Sequence, residues 1–372
     1  MSKARYIMIG GFLGAGKTTA VARLAQRIAS QGQRVGLITN DQGRGLVDTA
    51  VLRARGFATE EIPGGCFCCR FNSLLDAARK LTTTTRPDVF IAEPVGSCTD
   101  LVATVTYPLR RIYATDYTVA PLSVLVDPVR AARVFGLETG GRFSEKVLYI
   151  YRKQLEEADL IVINKADLLE ASKIERLRDR LKSEFPQTEV LVTSARLGVG
   201  LEEWFQRIAA GSQPAGEAMH VDYGMYAEGE ALLGWLNATV QASSKNDFDA
   251  NRILCELAGA VQRRLNQDSV EVAHLKMTLS PDRGLGHIAA ISLVRNDTVP
   301  ELSLTLSEEV SAGQLIINLR AEAAPDRLNA AVQEALAEIS RSSSGLTFRL
   351  DHLEHFRPGK PQPTHRDTAL TS

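Results

Sequence analysis

Short apolar runs alternate with segments of helical periodicity through the first half of the chain. Tyr6-Ile7-Met8-Ile9 is the first run, and a glycine-rich turn separates it from a helix-favouring stretch at Ala20–Ala29. Arg34–Thr39 reads as a second buried strand, and Phe57–Ile62 as a weaker one stopped by Pro63-Gly64-Gly65. A helical segment at Asn72–Leu81 ends at a break marked by Thr82–Thr85 and Arg86-Pro87. Further strands fall at Asp88–Ala92, Leu122–Val126, Leu160–Ile163 and Glu189–Thr193, with Asp127-Pro128 as a helix start. Helices fit Ser144–Glu157, Ala171–Glu184 and Leu201–Ala210. This alternation predicts an α/β fold, a parallel sheet with helices on both faces.

Gly211-Ser212-Gln213-Pro214-Ala215-Gly216 has the small residues and breakers of a linker, and the pattern changes beyond it. Strands are expected at Met219–Tyr226, Ala231–Gln241, Val270–Leu279, His287–Val294, Leu302–Leu306, Leu315–Leu319 and Leu346–His352. Helices fit Asp249–Leu265 and Pro325–Ile339, giving a smaller α+β domain on an antiparallel sheet. The expected division is therefore 1–211, 218–357 and an extended or disordered tail, 358–372.

Composition changes this picture little. The 372 residues are 44% hydrophobic and 23% charged with a formal net charge of -1, as in a soluble globular protein. That balance implies no general attraction to nucleic acid or to an anionic membrane. There is no apolar run of membrane-spanning length and no signal-peptide pattern, so a cytoplasmic location is expected. Three of the five cysteines, Cys66, Cys68 and Cys69, sit within four positions, which in a cytoplasmic chain points to metal or redox chemistry.

The turn after the first strand, Gly10-Gly11-Phe12-Leu13-Gly14-Ala15-Gly16-Lys17-Thr18-Thr19, satisfies G-x-x-x-x-G-K-[ST] between strand and helix. Gly11, Gly14, Ala15, Gly16, Lys17, Thr18 and Thr19 are the candidate phosphate-binding residues. Backbone N–H groups turned inward and the positive end of the helix suit a polyphosphate. Lys17 can reach the β- and γ-phosphates and the Thr18 hydroxyl can hold Mg²⁺. The fold expected is thus a P-loop NTPase sheet. Asn164-Lys165-Ala166-Asp167 follows an apolar strand, and its form selects guanine: the Asp167 carboxylate accepts from N1–H and the 2-amino group, donors that adenine lacks. Asn164 holds the loop, the Lys165 stem can lie over the base, and a backbone N–H at Ser194-Ala195 can meet O6.

Gly64-Gly65-Cys66-Phe67-Cys68-Cys69 offers two or three thiolates from one turn, a set suited to Zn²⁺ or Cu(I). Three local thiols without a fourth in the loop suit a site that loads and unloads; buried apolar cysteines and a redox dithiol are the competing readings. Cys98, just after Gly96, is a candidate fourth thiolate, and Cys255, inside a helix, reads as core. If the strands are parallel, the loops carrying Lys17, Asn40, Cys66, Glu93 and Asn164 share one edge, and a metal there can feel the γ-phosphate.

Together the phosphate loop, Gly65-Cys66-Phe67-Cys68-Cys69, Glu93-Pro94-Val95-Gly96 and Asn164-Lys165-Ala166-Asp167 resemble the CobW-type (CobW/HypB/UreG-like) metallochaperone GTPases, a branch of the P-loop GTPases that includes zinc chaperones. The resemblance covers the first domain. It implies that Glu93 belongs to a Walker-B-like E-x-x-G switch near Mg²⁺, in contact with the ion or through water, and is a catalytic residue with Lys17 and Thr18. Asn40–Asp48 resembles the family's first switch, usually N-E-x-G with a later Asp; Asp41 here replaces the Glu and shortens it by a methylene. The second domain lacks the family's His-rich run; His352, His355 and His365 read as surface histidines. The function expected is a GTPase that couples hydrolysis of GTP to delivery of a transition metal, zinc first and cobalt (Co²⁺) second, to a client metalloprotein. No counterpart of a switch glutamine follows Glu93, so intrinsic turnover is expected to be slow. A GTP-dependent adaptor or sensor with a fixed metal site, and an ATPase with a redox dithiol, are the alternatives; a homo-oligomer is compatible with either.

Overall fold

Strand and helix alternate in the order β1 (Ala4–Gly11), α1 (Lys17–Ser30), β2 (Val35–Asn40), α2 (Val47–Ala54), β3 (Thr59–Ile62), α3 (Phe71–Thr84) and β4 (Val89–Glu93). A π-helical turn at Val102–Thr106 leads into α4 (Tyr107–Ile112), β5 (Tyr117–Val119), β6 (Ser123–Val126), α5 (Pro128–Val134), α6 (Glu145–Glu156) and β7 (Leu160–Ile163). Next come α7 (Ala171–Glu184), β8 (Glu189–Val192), α8 (Leu201–Ala210), β9 (Gly216–Glu217), α9 (Tyr223–Leu232), β10 (Leu233–Phe248) and α10 (Ala250–Gln267). The chain ends with β11 (Val272–Pro281), β12 (Ala289–Leu293), β13 (Glu301–Leu304), β14 (Val310–Glu322), α11 (Pro325–Ser342), β15 (Thr347–Phe356) and β16 (Ala369–Leu370). This computed structural model describes residues 3–43, 46–283 and 286–370. Arg44 and Gly45, in the loop expected to form a switch, and Thr371 and Ser372, in the expected tail, lie outside the described residues. By contacts the chain forms two units: Met1–Gln42, Phe57–Gly229 and Lys360–Ser372 make the first, Gly43–Gly56 and Glu230–Gly359 the second.

In the first unit the strand order is β3-β2-β4-β1-β6-β7-β8, with β5 beside β1, and every pairing is parallel. Ile7, Met8, Ile9, Ile91, Leu125, Ile161 and Val162 are fully buried, the continuous apolar character a parallel sheet needs when helices cover both faces. Each such side chain contributes about 1.5–3 kcal/mol on leaving water. The parallel register has a functional consequence: the ends of β1, β2, β3, β4 and β7, and so the loops they carry, lie along one edge.

In the second unit six antiparallel strands run β13-β12-β11-β14-β10-β15. Leu236, Ala238, Leu275, Met277, Ile317 and Leu319 alternate onto one face, where Leu254, Leu257, Val261, Val332 and Ala335 of α10 and α11 pack. The same alternation puts Asn237, Lys276 and Asn318 on the other face. There the Val47 amide donates to Asn318 Oδ1 at 2.9 Å, and Lys276 Nζ meets Asp48 Oδ1 at 2.6 Å. The helix that follows the expected loop, α2, is thus seated on the second unit's sheet.

Three expectations are corrected. Met219–Tyr226 is not a strand. Asp222 accepts from the Gly224 and Met225 amides at 2.7 and 3.1 Å and so starts α9. The threonine tract does not end its helix, because Thr82 and Thr84 donate to the carbonyls of Ala78 and Lys80, one turn back, and α3 continues to Thr84. Cys255 is exposed rather than core, because the apolar stripe of α10 runs through Ile253, Leu254, Leu257 and Val261 and misses it.

Gly11 closes β1 at φ 128°, and a Cβ there would lie 2.3 Å from the Leu125 carbonyl oxygen of the neighbouring strand. Gly11→Ala is therefore expected to cost about 1–3 kcal/mol of strain, read as a lowered urea midpoint, and to weaken nucleotide binding in the same titration series.

Candidate nucleotide site and cysteine centre

The phosphate loop is built from glycines in the left-handed region, Gly14 at φ 81° and Gly16 at φ 89°, and Gly16 is the residue before α1. Lys17 Nζ donates to the Gly11 and Phe12 carbonyls at 2.8 and 3.4 Å, which holds the ammonium inside the loop. The Thr18 hydroxyl, one residue on, donates to Glu93 Oε1 at 3.0 Å. Two hard oxygens, from the first turn of α1 and the end of β4, therefore meet beside the loop. This pair fits Mg²⁺, which takes hydroxyl and carboxylate oxygens and keeps several waters.

The Asn164 tetrapeptide reaches the phosphate loop directly. Asn164 Nδ2 donates to the Ala15 carbonyl at 2.9 Å, and its Oδ1 accepts from the Ala195 amide at 3.0 Å. Gly16 makes room for it, since a Cβ there would stand 2.5 Å from Asn164 Nδ2. Lys165, at φ 56°, extends Nζ to the Gly14 carbonyl at 2.7 Å and to Asp127 Oδ2 at 3.2 Å. Asp127 also caps α5 through the Val129 and Arg130 amides, so one carboxylate serves helix and loop. Asp167 accepts from Ser194 Oγ at 2.5 Å and from Arg196 at 3.0 Å. The residues expected at a base pocket, Asn164, Lys165, Asp167, Ser194 and Ala195, thus form one connected set joined to Gly14 and Ala15. Thr19 lies in the first turn of α1.

The cysteine loop follows β3 and leads into α3. Gly64 and Gly65, at φ 77° and 146°, turn the chain, and the Cys66 carbonyl accepts from the Cys69 and Arg70 amides. One helical turn wraps Cys66-x-Cys68-Cys69 so that Sγ of Cys66 lies 2.8 Å from Cys68 and 3.3 Å from Cys69. All three sulfurs fall within 4.8 Å of one another, and among the described residues this is the one convergent metal-ligating set. The buried Cys98 thiol also bonds to Cys66, bringing the fourth candidate beside the first. Hydrogen bonding, first with Cys68 and then with Cys69 and Cys98, holds Cys66 well below the ordinary thiol range. The reciprocal bond to Cys66 raises Cys68 well above that range and pushes Cys69 up to about 11. The histidines stand apart: His352 and His355 pair with Glu354 and Asp326 at 3.8 and 3.3 Å, and the His365 ring meets Phe71 edge-on.

Asn40, buried at the end of β2, donates Nδ2 to the carbonyls of Ile62 and Gly65, at 2.8 and 2.5 Å, and so ties its loop to the cysteine loop. Asp41 is also buried. Sequence reasoning missed the support under the Glu93 loop. Gln154 donates to the Gly96 and Cys98 carbonyls at 3.0 and 2.8 Å, and the Tyr223 hydroxyl donates to Asp100 Oδ2 at 2.6 Å. Asp100 is 1% exposed and sits at φ 66°, an unusual conformation for a non-glycine residue. No spacing marks Gln154 or Tyr223 as its partners; only the fold brings them together.

The match to the CobW/HypB/UreG nucleotide-binding domain covers residues 5–192, half of the chain, and the chain belongs to that family. The zinc chaperone CobW of Sinorhizobium sp is 30% identical over 234 residues, which cover 52% of this chain and 63% of that protein. The zinc chaperone CobW of Pseudomonas aeruginosa is 27% identical over 221 residues, 53% of this chain and 58% of that one. The zinc-regulated GTPase metalloprotein activator 1 of Dictyostelium discoideum is 23% identical over 212 residues, 50% and 44% of the two chains. The matched region spans less than two thirds of each of these relatives. No described helix is long and apolar enough to cross a membrane.

Glu157 lies beneath the same loop, accepting from Thr99 Oγ1 at 3.2 Å and from the Val102 amide at 3.1 Å. Burial, reinforced by the Asp100 charge, raises its pKa from 4.5 to about 8. A raised acid pKa favours the folded state below the unfolded value, and that contribution disappears as pH rises through the folded one. Wild type should therefore lose stability relative to Glu157→Gln between pH 4.5 and about 8, and the difference should level off above that window. Chemical-denaturation midpoints of both proteins across that range are the check.

Proposed function

We propose that this protein is a GTPase that carries a transition metal, zinc first and cobalt second, on the thiolates of Cys66, Cys68 and Cys69 and delivers it to a client metalloprotein. The observation that carries the reading is the convergence of three sulfurs within 4.8 Å beside the loop that follows Glu93. Cys66 bonds to Cys98, Cys98 lies on that loop, and Glu93 at its start accepts from Thr18. A second tether runs from the Gly65 carbonyl to Asn40. Metal at the sulfurs and phosphate at Lys17 thus act on the same two loops.

Lys17 and the amides of Gly14–Thr19 bind the β- and γ-phosphates, and Asp167 accepts from guanine N1–H and the 2-amino group. Thr18 and Glu93 would hold Mg²⁺, which when bound supplies charge neutralisation at the β- and γ-phosphates. Asn164 keeps the base and phosphate halves in register through Ala15. Glu93 is the group able to report the state of the phosphate end to Cys98. The metal is cargo, and its thiolate set is open enough to exchange. The zinc chaperones among the relatives support zinc as the first choice.

The test measures GTP turnover and metal affinity together, with zinc, cobalt and nickel. A Cys66/Cys68/Cys69 triple-Ala variant should lose tight zinc binding and any metal-dependent change in GTP turnover. Wild-type turnover that is the same with and without metal would refute the coupling. Cys98→Ala should weaken zinc by about tenfold or more if Cys98 is a ligand or a direct support of one. Unchanged affinity would remove Cys98 from the site.

A further inference from the structure

The tail runs Pro361-Gln362-Pro363-Thr364-His365-Arg366-Asp367, and it is seated on the cysteine loop. Prolines have no N–H, so within the Pro361-Gln362-Pro363 triplet Gln362 supplies the one amide donor. That N–H points at Cys69 Sγ, at 3.2 Å. Two residues on, the Thr364 amide donates to the Cys68 carbonyl at 2.8 Å and its hydroxyl to the Cys69 carbonyl at 3.2 Å. The donors alternate along an extended chain, as a strand's do, and they engage both residues of the Cys68-Cys69 pair.

The segment is anchored beyond this contact. Arg366 Nε donates to Asp100 Oδ2 at 2.7 Å, the Asp367 amide donates to the Ala103 carbonyl at 2.8 Å, and Asp367 pairs with Arg111 at 2.8 Å. β16 then pairs with β9. Asp100 is buried and lies two residues past Cys98, so Arg366 neutralises a charge inside the loop that carries the fourth thiol. One strap therefore grips both walls of the cysteine centre, the Cys68–Cys69 turn and the Cys98–Asp100 loop.

We propose that Gln362–Arg366 is a positioning strap of the metal site: its Gln362 N–H bonds the Cys69 sulfur and Thr364 fixes the turn, which slows release of the bound metal. The inference rests on the reading of Cys66, Cys68 and Cys69 as metal ligands. An N–H donor to a metal-bound thiolate withdraws charge from sulfur and fixes its direction, and outer partners of this kind strongly affect metal retention. Metal transfer then requires the strap to lift from the cysteines, which breaks three hydrogen bonds to Cys68 and Cys69.

The experiment uses the full chain loaded with zinc and follows loss of metal to an excess of chelator, with cobalt-thiolate absorption as a parallel readout. Gln362→Pro deletes the N–H while keeping an extended tail, and Gln362→Ala, the conservative counterpart, keeps the N–H. Zinc should leave the Pro variant about tenfold faster than wild type and faster than the Ala variant. Thr364→Val, which removes the hydroxyl bond alone, should also accelerate release and decides the matter if Gln362→Pro fails to fold by circular dichroism. Equal release rates from wild type, the folded Pro variant and Thr364→Val would overturn the strap. Wild type showing no cobalt-thiolate band and no zinc retention would instead overturn the metal reading on which the strap depends.

Discussion

Parallel pairing is the constraint on which the rest of the first unit depends. β1 lies between β4 and β6 with all three running the same way, so the phosphate loop, the Glu93 loop and the Asp127 cap emerge side by side. β2 and β3 extend the edge on one side and bring Asn40 and the cysteines, while β7 extends it on the other and brings Asn164. A one-residue slip in any pairing would send each side chain to the opposite helix layer and break the packing on both faces. The burial that fixes the register therefore also fixes which chemistry meets which.

Within that edge the Glu93–Asp100 loop is the element with contacts in every direction. Its first carboxylate meets Thr18, its Gly96 backbone closes on Leu13 so tightly that a Cβ would stand 2.7 Å away, and its Cys98 meets Cys66. Asp100 at the loop's end and Glu157 beneath it are two buried acids, and Arg366 is the cation that answers the first. Burial first, and the Asp100 charge second, raise the Glu157 pKa beneath this loop. Such a loop is a better candidate for a two-state element than the strands that flank it.

The strands, the alternation and the phosphate loop were legible in the sequence because each depends on local periodicity or on residues adjacent in the chain. The Asn164 set was legible for the same reason, as a short motif after an apolar run. What local pattern does not carry is partnership across the fold. Asn40 looked like a loop residue, yet its amide holds the Gly65 carbonyl. Thr82–Thr85 looked like a breaker, because side-chain donation to carbonyls one turn back depends on the helix already being there. Asp48, read only as the later Asp of a switch-like stretch, meets Lys276, which is 228 residues away. The tail had the composition of an extended or disordered segment, and its contacts with Asp100, Ala103 and the cysteine loop are ones composition does not carry.

The proton inventory of the cysteines bears on how such a centre exchanges metal. Hydrogen bonding within the cluster holds Cys66 below the ordinary thiol range and Cys68 and Cys69 above it. On the proposed reading of these sulfurs as ligands, a metal ion displaces thiol protons and the S–H donors go with them, so loading and proton release are linked. What remains as an N–H donor to Cys69 is the Gln362 amide, a donor that cannot be titrated away. An N–H donor favours the deprotonated sulfur over the thiol, so on the proposed reading retention of the metal depends on the tail being in place.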